Sequence, residues 1–176
     1  MRNVILLFSA LSLSSPAIAQ PGSPEAVDDV LTIATKLHVA EGWAKGLEQG
    51  LAGLKTLPVP EEKRGEFIAA AKAEFAAEAP GYMQMLVARE AAALSDEQRQ
   101  NLLVFVDLPS IQYQARAAAG MAVEGAAPKI ENAEADTLHR IDGDYIGQFI
   151  ADMTSAQTLQ PLTDRILTTV VLQMSK

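Results

Sequence analysis

The sequence contains no cysteine and two histidines, His38 and His139, and this scarcity removes most of the usual catalytic and metal-binding chemistry. Without cysteine the chain can form neither a disulfide nor a thiolate nucleophile nor a cysteine-ligated metal site. With two histidines, few general bases are available for a catalytic pair. We therefore expect no catalytic residue and no cofactor, and we expect a fold that is stabilised by packing alone.

Positive charge is also scarce. The 14 Lys and Arg residues are outnumbered by 22 Asp and Glu residues, which gives a formal net charge of -8. A negative surface repels phosphate groups, so neither nucleic acid nor an anionic lipid surface is expected as a general partner. Beyond the first residues no apolar run approaches the roughly twenty residues that cross a bilayer, and no stable membrane insertion is expected of the mature chain.

Residues 1–19 have the pattern of a secretory signal peptide. Arg2 precedes an apolar run over residues 4–13, Pro16 breaks that run, and Ala17-Ile18-Ala19 forms a small-x-small cleavage site. We predict cleavage after Ala19, which leaves residues 20–176 as a single helical domain. The mature protein is then expected to be periplasmic or secreted.

Apolar residues recur at helical spacings of three and four through most of the remaining chain. Over residues 24–55 the pattern predicts one long helix, or two short helices in line. Together with 49% hydrophobic residues in a chain of 176, the periodicity predicts an all-α fold, an irregular helical bundle of about five to seven helices around one core. The first apolar seam consists of Val30, Ile33, Leu37, Ala40, Ala44, Leu47, Leu51 and Leu54.

Three glycines lie four residues apart within the first predicted helical segment, so that they fall along one stripe: Gly42, Gly46 and Gly50. Each glycine inside a helix costs about 1 kcal/mol relative to alanine. We interpret the stripe as a strip of small residues that allows another helix to approach closely. The alternative is a bend or break of the helix at these positions.

The clearest helix start lies at Ser95. Ser95 and Gln98 have the spacing of a capping box, in which each side chain binds a backbone N–H of the first turn. The five consecutive apolar residues 102–106 are too many for one face of an exposed helix. We therefore expect a helix that other helices enclose.

Proline residues predict where helices end. Pro109 disfavours helical geometry at Leu108 and predicts a break there. Because Leu108 has no hydroxyl, we expect Asp107 to cap the next helix, whose alanine-rich pattern continues from Pro109 to Ala126. Pro80 is likewise expected to end the helix that starts after Pro60.

The order of features over residues 82–128 resembles the domain of unknown function 2059 family (DUF2059), small exported bacterial helical proteins. In that family a cap with acidic residues leads into an apolar helix, then into an F-Y-x-[ST]-P-x-G-like turn and another helix. Phe105 and Pro109 match the turn. The resemblance implies an exported helical protein and implies no activity. Three positions depart from the usual tyrosine, hydroxyl residue and glycine of the turn: Val106, Leu108 and Ile111.

The C-terminal part is predicted to be helical through residues 130–141, with residues 142–144 either interrupting the helix or forming its weak point. Residues 162–174 fit a helix, although residues 167–172 are rich in types that favour strands. We favour the helix, because a single strand has no partner for its backbone hydrogen bonds.

One group of residues is a candidate metal site. Asp136, His139 and Asp142 are spaced three apart, which places them near one face of a continuous helix. Such a group can hold a divalent metal, and the alternative is a solvated polar face. A calcium loop beginning at Asp142 is excluded, because Ile146 and Met153 occupy ligand positions.

These observations lead to three functional hypotheses. The first is a non-enzymatic exported protein that binds another cell-envelope component, such as an envelope protein, through its helix faces. The second is a carrier or sensor of a small apolar ligand held between loosely packed, alanine-rich helices. The third is a divalent-metal-dependent enzyme that uses Asp136, His139 and Asp142.

Overall fold

The computed structural model describes residues 22–53, 59–141 and 143–175. The regular secondary structure of these residues consists of helices, and the predicted all-α helical bundle is confirmed. The predicted leader and Asp142 lie outside the described residues. The helices are α1 (Pro24–Lys36), α2 (Val39–Gly53), α3 (Arg64–Ala93), α4 (Asp96–Val106), α5 (Pro109–Ala118), α6 (Asn132–Arg140), α7 (Gly143–Thr154) and α8 (Ala156–Met174), with a 3-10 turn, Glu61–Lys63, before α3.

The long helix α3 forms the centre of the bundle and packs along α1, α2 and α8. Helix α8 runs antiparallel to α3, since Glu78 pairs with Arg165 at 3.1 Å and Tyr82 donates to the Thr158 carbonyl at 2.5 Å. The apolar core lies between these helices and also takes in residues of α4 and α7. Its largest fully buried side chains include Phe67, Phe149, Ile33, Leu86, Leu102, Met153, Leu162 and Ile166.

The prediction that Pro80 ends a helix is wrong, because α3 is one helix of 30 residues and Pro80 lies inside it. A proline inside a helix removes one backbone hydrogen bond and typically costs about 3 kcal/mol. Buried residues on both sides of the proline offset this cost, since Phe67 and Ala71 precede it and Leu86 and Val87 follow it in the same core. Tertiary packing therefore keeps the two halves in one helix.

The segment predicted as one long helix or two short ones is two helices. The break falls at Leu37 and His38, where His38 adopts a left-handed backbone conformation with φ 53°. Helix α2 then continues without interruption past Gly42, Gly46 and Gly50. The alternative prediction of a break at the glycines is therefore wrong, and a bend there stays a prediction.

The capping box at the start of α4 is confirmed. The Ser95 hydroxyl accepts from the Gln98 N–H at 3.2 Å, and the Gln98 side-chain oxygen accepts from the Ser95 N–H at 2.9 Å. Leu102 and Val106 are buried, but Val104 is 50% exposed. The expectation that other helices enclose the whole apolar run is therefore wrong, since one face of α4 meets solvent.

The break before Pro109 is confirmed, whereas the predicted cap is not. Leu108 is extended and stands at the N-cap of α5 without a side-chain hydrogen bond. The Asp107 carboxylate lies elsewhere, in an ion pair with the Lys36 ammonium at 2.5 Å that joins α4 to α1. Asp107 thus links two helices instead of capping one.

Helix α5 is shorter than its alanine pattern predicts, because it ends at Ala118 and residues 119–131 are not helical. Gly120 has φ 75°, the left-handed conformation that favours glycine at a helix end. The N–H of Met121 donates to the Arg116 carbonyl at 2.9 Å, which completes the Schellman arrangement. Alanine side chains bury too little apolar area to hold the helix beyond this point.

The C-terminal predictions are resolved in favour of helices. Helix α6 ends at Arg140 and α7 begins at Gly143, so the helix is interrupted between them. The last segment is helical throughout α8, and Ser155 caps it by accepting from the Thr158 N–H at 3.2 Å. Among the described residues, no helix combines the length and apolarity that crossing a membrane requires.

Candidate functional site

A cleft of about 700 Å³ lies between α2, α5, α7 and α8. Apolar side chains make up most of its wall, and polar ones are few. The apolar wall includes Val39, Trp43, Leu47 and Leu51 of α2, Ile111, Ala115 and Ala118 of α5, and Ile150, Leu159, Leu162 and Leu167 of α7 and α8. The polar lining residues are His38, Gln114, Thr154, Gln160 and Thr163. A predominantly apolar lining with a few hydrogen-bonding groups is typical of sites for small molecules.

The glycine stripe of α2, defined by Gly42, Gly46 and Gly50, opens onto this cleft. A Cβ atom added at any of the three glycines would meet nothing within 4 Å. The prediction that the stripe allows close approach of another helix is therefore wrong. At a rise of about 1.5 Å per residue, the stripe forms an unobstructed floor of the cleft that is about 12 Å long.

Trp43 fixes one wall of the cleft. Its side chain is 3% exposed, and its indole N–H donates to the Met153 carbonyl at 2.8 Å. That carbonyl belongs to the last turn of α7, where no backbone partner is available within the helix. The Tyr82 ring meets the indole edge-on with centroids 6.0 Å apart. Trp43 therefore joins α2 to α7 in the core while its surface lines the cleft.

Helix α5 forms another wall, and polar contacts hold it at both ends while Ile111 packs against the core. Its buried residue is Ser110, whose N–H donates to the Glu134 carboxylate of α6 at 3.1 Å and whose hydroxyl donates to the same oxygen. Glu134 thus caps α5, the role that the sequence assigned to Asp107. At the other end of α5, the Lys45 ammonium donates to the Ala118 carbonyl at 3.3 Å.

Two of the three candidate metal residues, Asp136 and His139, lie away from this cleft. Asp136 and His139 both lie on α6, where they line a shallow depression together with Ala133, Thr137 and Arg140. Within the described ranges, no group of three or more His, Cys, Asp or Glu residues is placed to hold a metal ion. Asp142 is not described, so the three-residue site stays a prediction.

Glu48 of α2 forms an ion pair with Lys72 of α3. Their side chains approach to 2.6 Å. The hydrogen bond from Lys72, and then its positive charge, lower the pKa of Glu48 below its ordinary value of 4.5. Neither residue lines the cleft. This titration therefore acts on the attachment of α2 to α3 and not on the ligand surface.

Comparisons of the chain with protein-family models, with curated proteins and with solved structures found no match. The case for a function therefore depends on the cleft itself. Sequence reasoning selected none of its residues as a site, although the spacing of Gly42, Gly46 and Gly50 beside Trp43 was a signal. The spacing did not indicate where α5, α7 and α8 lie around that stripe.

Proposed function

We propose that the protein is a non-enzymatic binding protein that holds a small apolar molecule in the cleft beside the glycine stripe. The observation that carries the proposal is the cleft of about 700 Å³ with its predominantly apolar wall. Ligand sites typically measure about 300–1,000 Å³ and have this kind of lining. Transfer of an apolar ligand from water into the cleft contributes about 25 cal/mol per Å² of buried apolar surface.

The proposed setting is the periplasm or the extracellular space. The signal-peptide pattern of residues 1–19 supports export. The intact mass of protein recovered from its own cell envelope tests this setting. We expect a mature chain that begins at Gln20, and a retained leader would contradict the proposed cleavage.

The same purified protein separates ligand binding from the hypothesis of an envelope partner. Native mass spectrometry is expected to show the monomer with a co-purifying apolar molecule that dissociates on activation. An empty monomer together with a captured envelope protein would instead favour binding through the helix faces, and would overturn the ligand proposal.

A substitution within the glycine stripe tests the cleft directly. We expect Gly46→Leu to fill the cleft and to weaken binding of the neutral apolar fluorophore N-phenyl-1-naphthylamine at least tenfold, which corresponds to about 1.4 kcal/mol. The probe's own emission gives the affinity. Quenching of Trp43, the only tryptophan, follows the same binding from the side of the protein, and its loss in Gly46→Leu would place the probe at the stripe.

Gly81→Leu is the matched control. Gly81 also lies inside a helix, a Cβ atom added there would also meet nothing within 4 Å, and the residue does not line the cleft. This variant is expected to bind the probe with the affinity of the unmodified protein. Equal affinity in Gly46→Leu, or no probe binding by the unmodified protein, would overturn the proposed site.

A further inference from the structure

We infer that α5 is the movable wall of the cleft and that the contact between Glu134 and Ser110 latches it closed. The inference rests on the proposed function, because a movable wall has a role only if a ligand enters the cleft. It concerns α5 because the walls of the cleft differ in how they are held. Three features of the structure carry it: burial, the two ends of α5, and the chemistry of its attachments.

The first feature is burial. Helices α7 and α8 anchor their side of the cleft in the core through residues that are 0–1% exposed, among them Phe149, Met153 and Leu162. In α5 the buried residue is the polar Ser110, its one apolar contact with the core is the partly buried Ile111, and Ala118 is exposed although it lines the cleft. A helix with few buried apolar contacts opens at lower free energy than a core helix.

The second feature is the pair of joints that bound α5. At its start, Leu108 is extended and Pro109 begins the helix, so no helical hydrogen bond carries α4 rigidly into α5. At its end, Gly120 has φ 75° and the following residues to 131 are not helical. The helix can therefore rotate as one body about its two ends.

The third feature is the kind of contact that closes the wall. Gln112 donates to the Lys36 carbonyl at 3.2 Å and to the Val106 carbonyl at the end of α4, and Lys45 donates to the Ala118 carbonyl at 3.3 Å. Water can replace each of these partners when the helix swings out, so each contact contributes little net stability. The two ends of the wall are thus held by bonds that can be remade.

The Glu134 contact is the strongest of these attachments. Its carboxylate accepts two hydrogen bonds from Ser110 at the positive end of the α5 dipole, and Glu134 is 8% exposed. Helix α6, which carries Glu134, is anchored to the core at its other end by Leu138 and Ile141. Glu134 therefore ties the start of α5 to a helix whose far end is held in the core by Ile141, which is 7% exposed.

Hydrogen exchange on the full chain tests the latch. In Glu134→Ala we expect amide exchange of α5 to accelerate at least tenfold while α1 and α3 keep their protection. Glu131→Ala is the control, because Glu131 is exposed at the start of α6 and makes no side-chain cap bond. Equal protection of α5 in both variants and in the unmodified protein would overturn the inference.

Stopped-flow binding of N-phenyl-1-naphthylamine tests whether the opening is the route of entry. Glu134→Ala is expected to raise both the association and the dissociation rate of the probe, whereas Glu131→Ala leaves them unchanged. Faster α5 exchange with unaltered probe rates would overturn the gate. Absence of probe binding to any variant would overturn the proposed function, and the exchange data would still decide whether Glu134 latches α5.

Discussion

At the scale of single residues, Arg99 shows how charge is used inside this helical core. Its guanidinium is largely buried, donates to the Leu94 carbonyl at 2.9 Å, and binds the Asp96 carboxylate. Its Nε lies 3.6 Å from an Asp29 oxygen, which brings α1 into the same cluster. One side chain therefore closes the end of α3 and joins it to α1 and α4.

The exposed pair of Glu48 and Lys72 gives the protein one predictable dependence on acid. Because the pKa of Glu48 is lowered on folding, its contribution to stability is complete above the ordinary value of 4.5 and is lost as pH falls through the lowered pKa. We expect Glu48→Gln to be less stable than the unmodified protein at neutral pH. At acidic pH below the lowered pKa the two should unfold at the same denaturant concentration.

Two controls keep this comparison specific to the pair. High salt screens exposed charges, so the difference at neutral pH should shrink as salt is added. Glu62→Gln removes an exposed carboxylate that leads into α3 and is the control for the loss of one negative charge. A difference between Glu48→Gln and the unmodified protein that persists unchanged in acid would contradict the assignment.

At the scale of helices, α4 begins where its capping box places it, and that start can be tested. Ser95→Ala removes the acceptor for the Gln98 N–H and is expected to destabilise the protein by about 1 kcal/mol. Chemical denaturation measures the change. Ser95→Asp retains an acceptor and should recover most of the loss, whereas equal stability of the alanine variant would mean that this cap does not hold α4.

Helix starts and local breaks were predictable because their causes lie within a few residues. The Ser95 box and the break before Pro109 depend on backbone groups that neighbouring side chains satisfy or obstruct. The path through Pro80 was not predictable in this way, because the packing that offsets the missing bond comes from residues far along the chain. The cap of α5 was missed for the same reason, since Glu134 lies 24 residues from Ser110.

The cleft, too, could be predicted only in part from the sequence. The spacing of Gly42, Gly46 and Gly50 predicts a smooth stripe on α2, but it contains no information about what faces that stripe. Whether the facing surface is a packed helix or open space depends on where α5, α7 and α8 lie. A sequence can therefore locate the stripe, and the tertiary arrangement alone distinguishes a contact from a cavity.

At the scale of the whole molecule, an open glycine stripe implies a conflict between stability and binding. Each stripe glycine costs about 1 kcal/mol relative to alanine, and a Cβ there meets nothing within 4 Å. We expect the triple variant Gly42→Ala, Gly46→Ala, Gly50→Ala to raise the free energy of unfolding by about 1–3 kcal/mol. Because three methyl groups then occupy the floor of the cleft, affinity for N-phenyl-1-naphthylamine should fall.

The control for this conflict is Gly81→Ala, which lies on α3 outside the cleft. It should gain part of the same stability, because its helical glycine is also unobstructed, and it should keep full affinity. Denaturation and probe titration of the same samples give both quantities. If the triple variant gained stability and kept its affinity, the glycines would have no role in binding; if it lost both, the added methyl groups would be disrupting α2 itself.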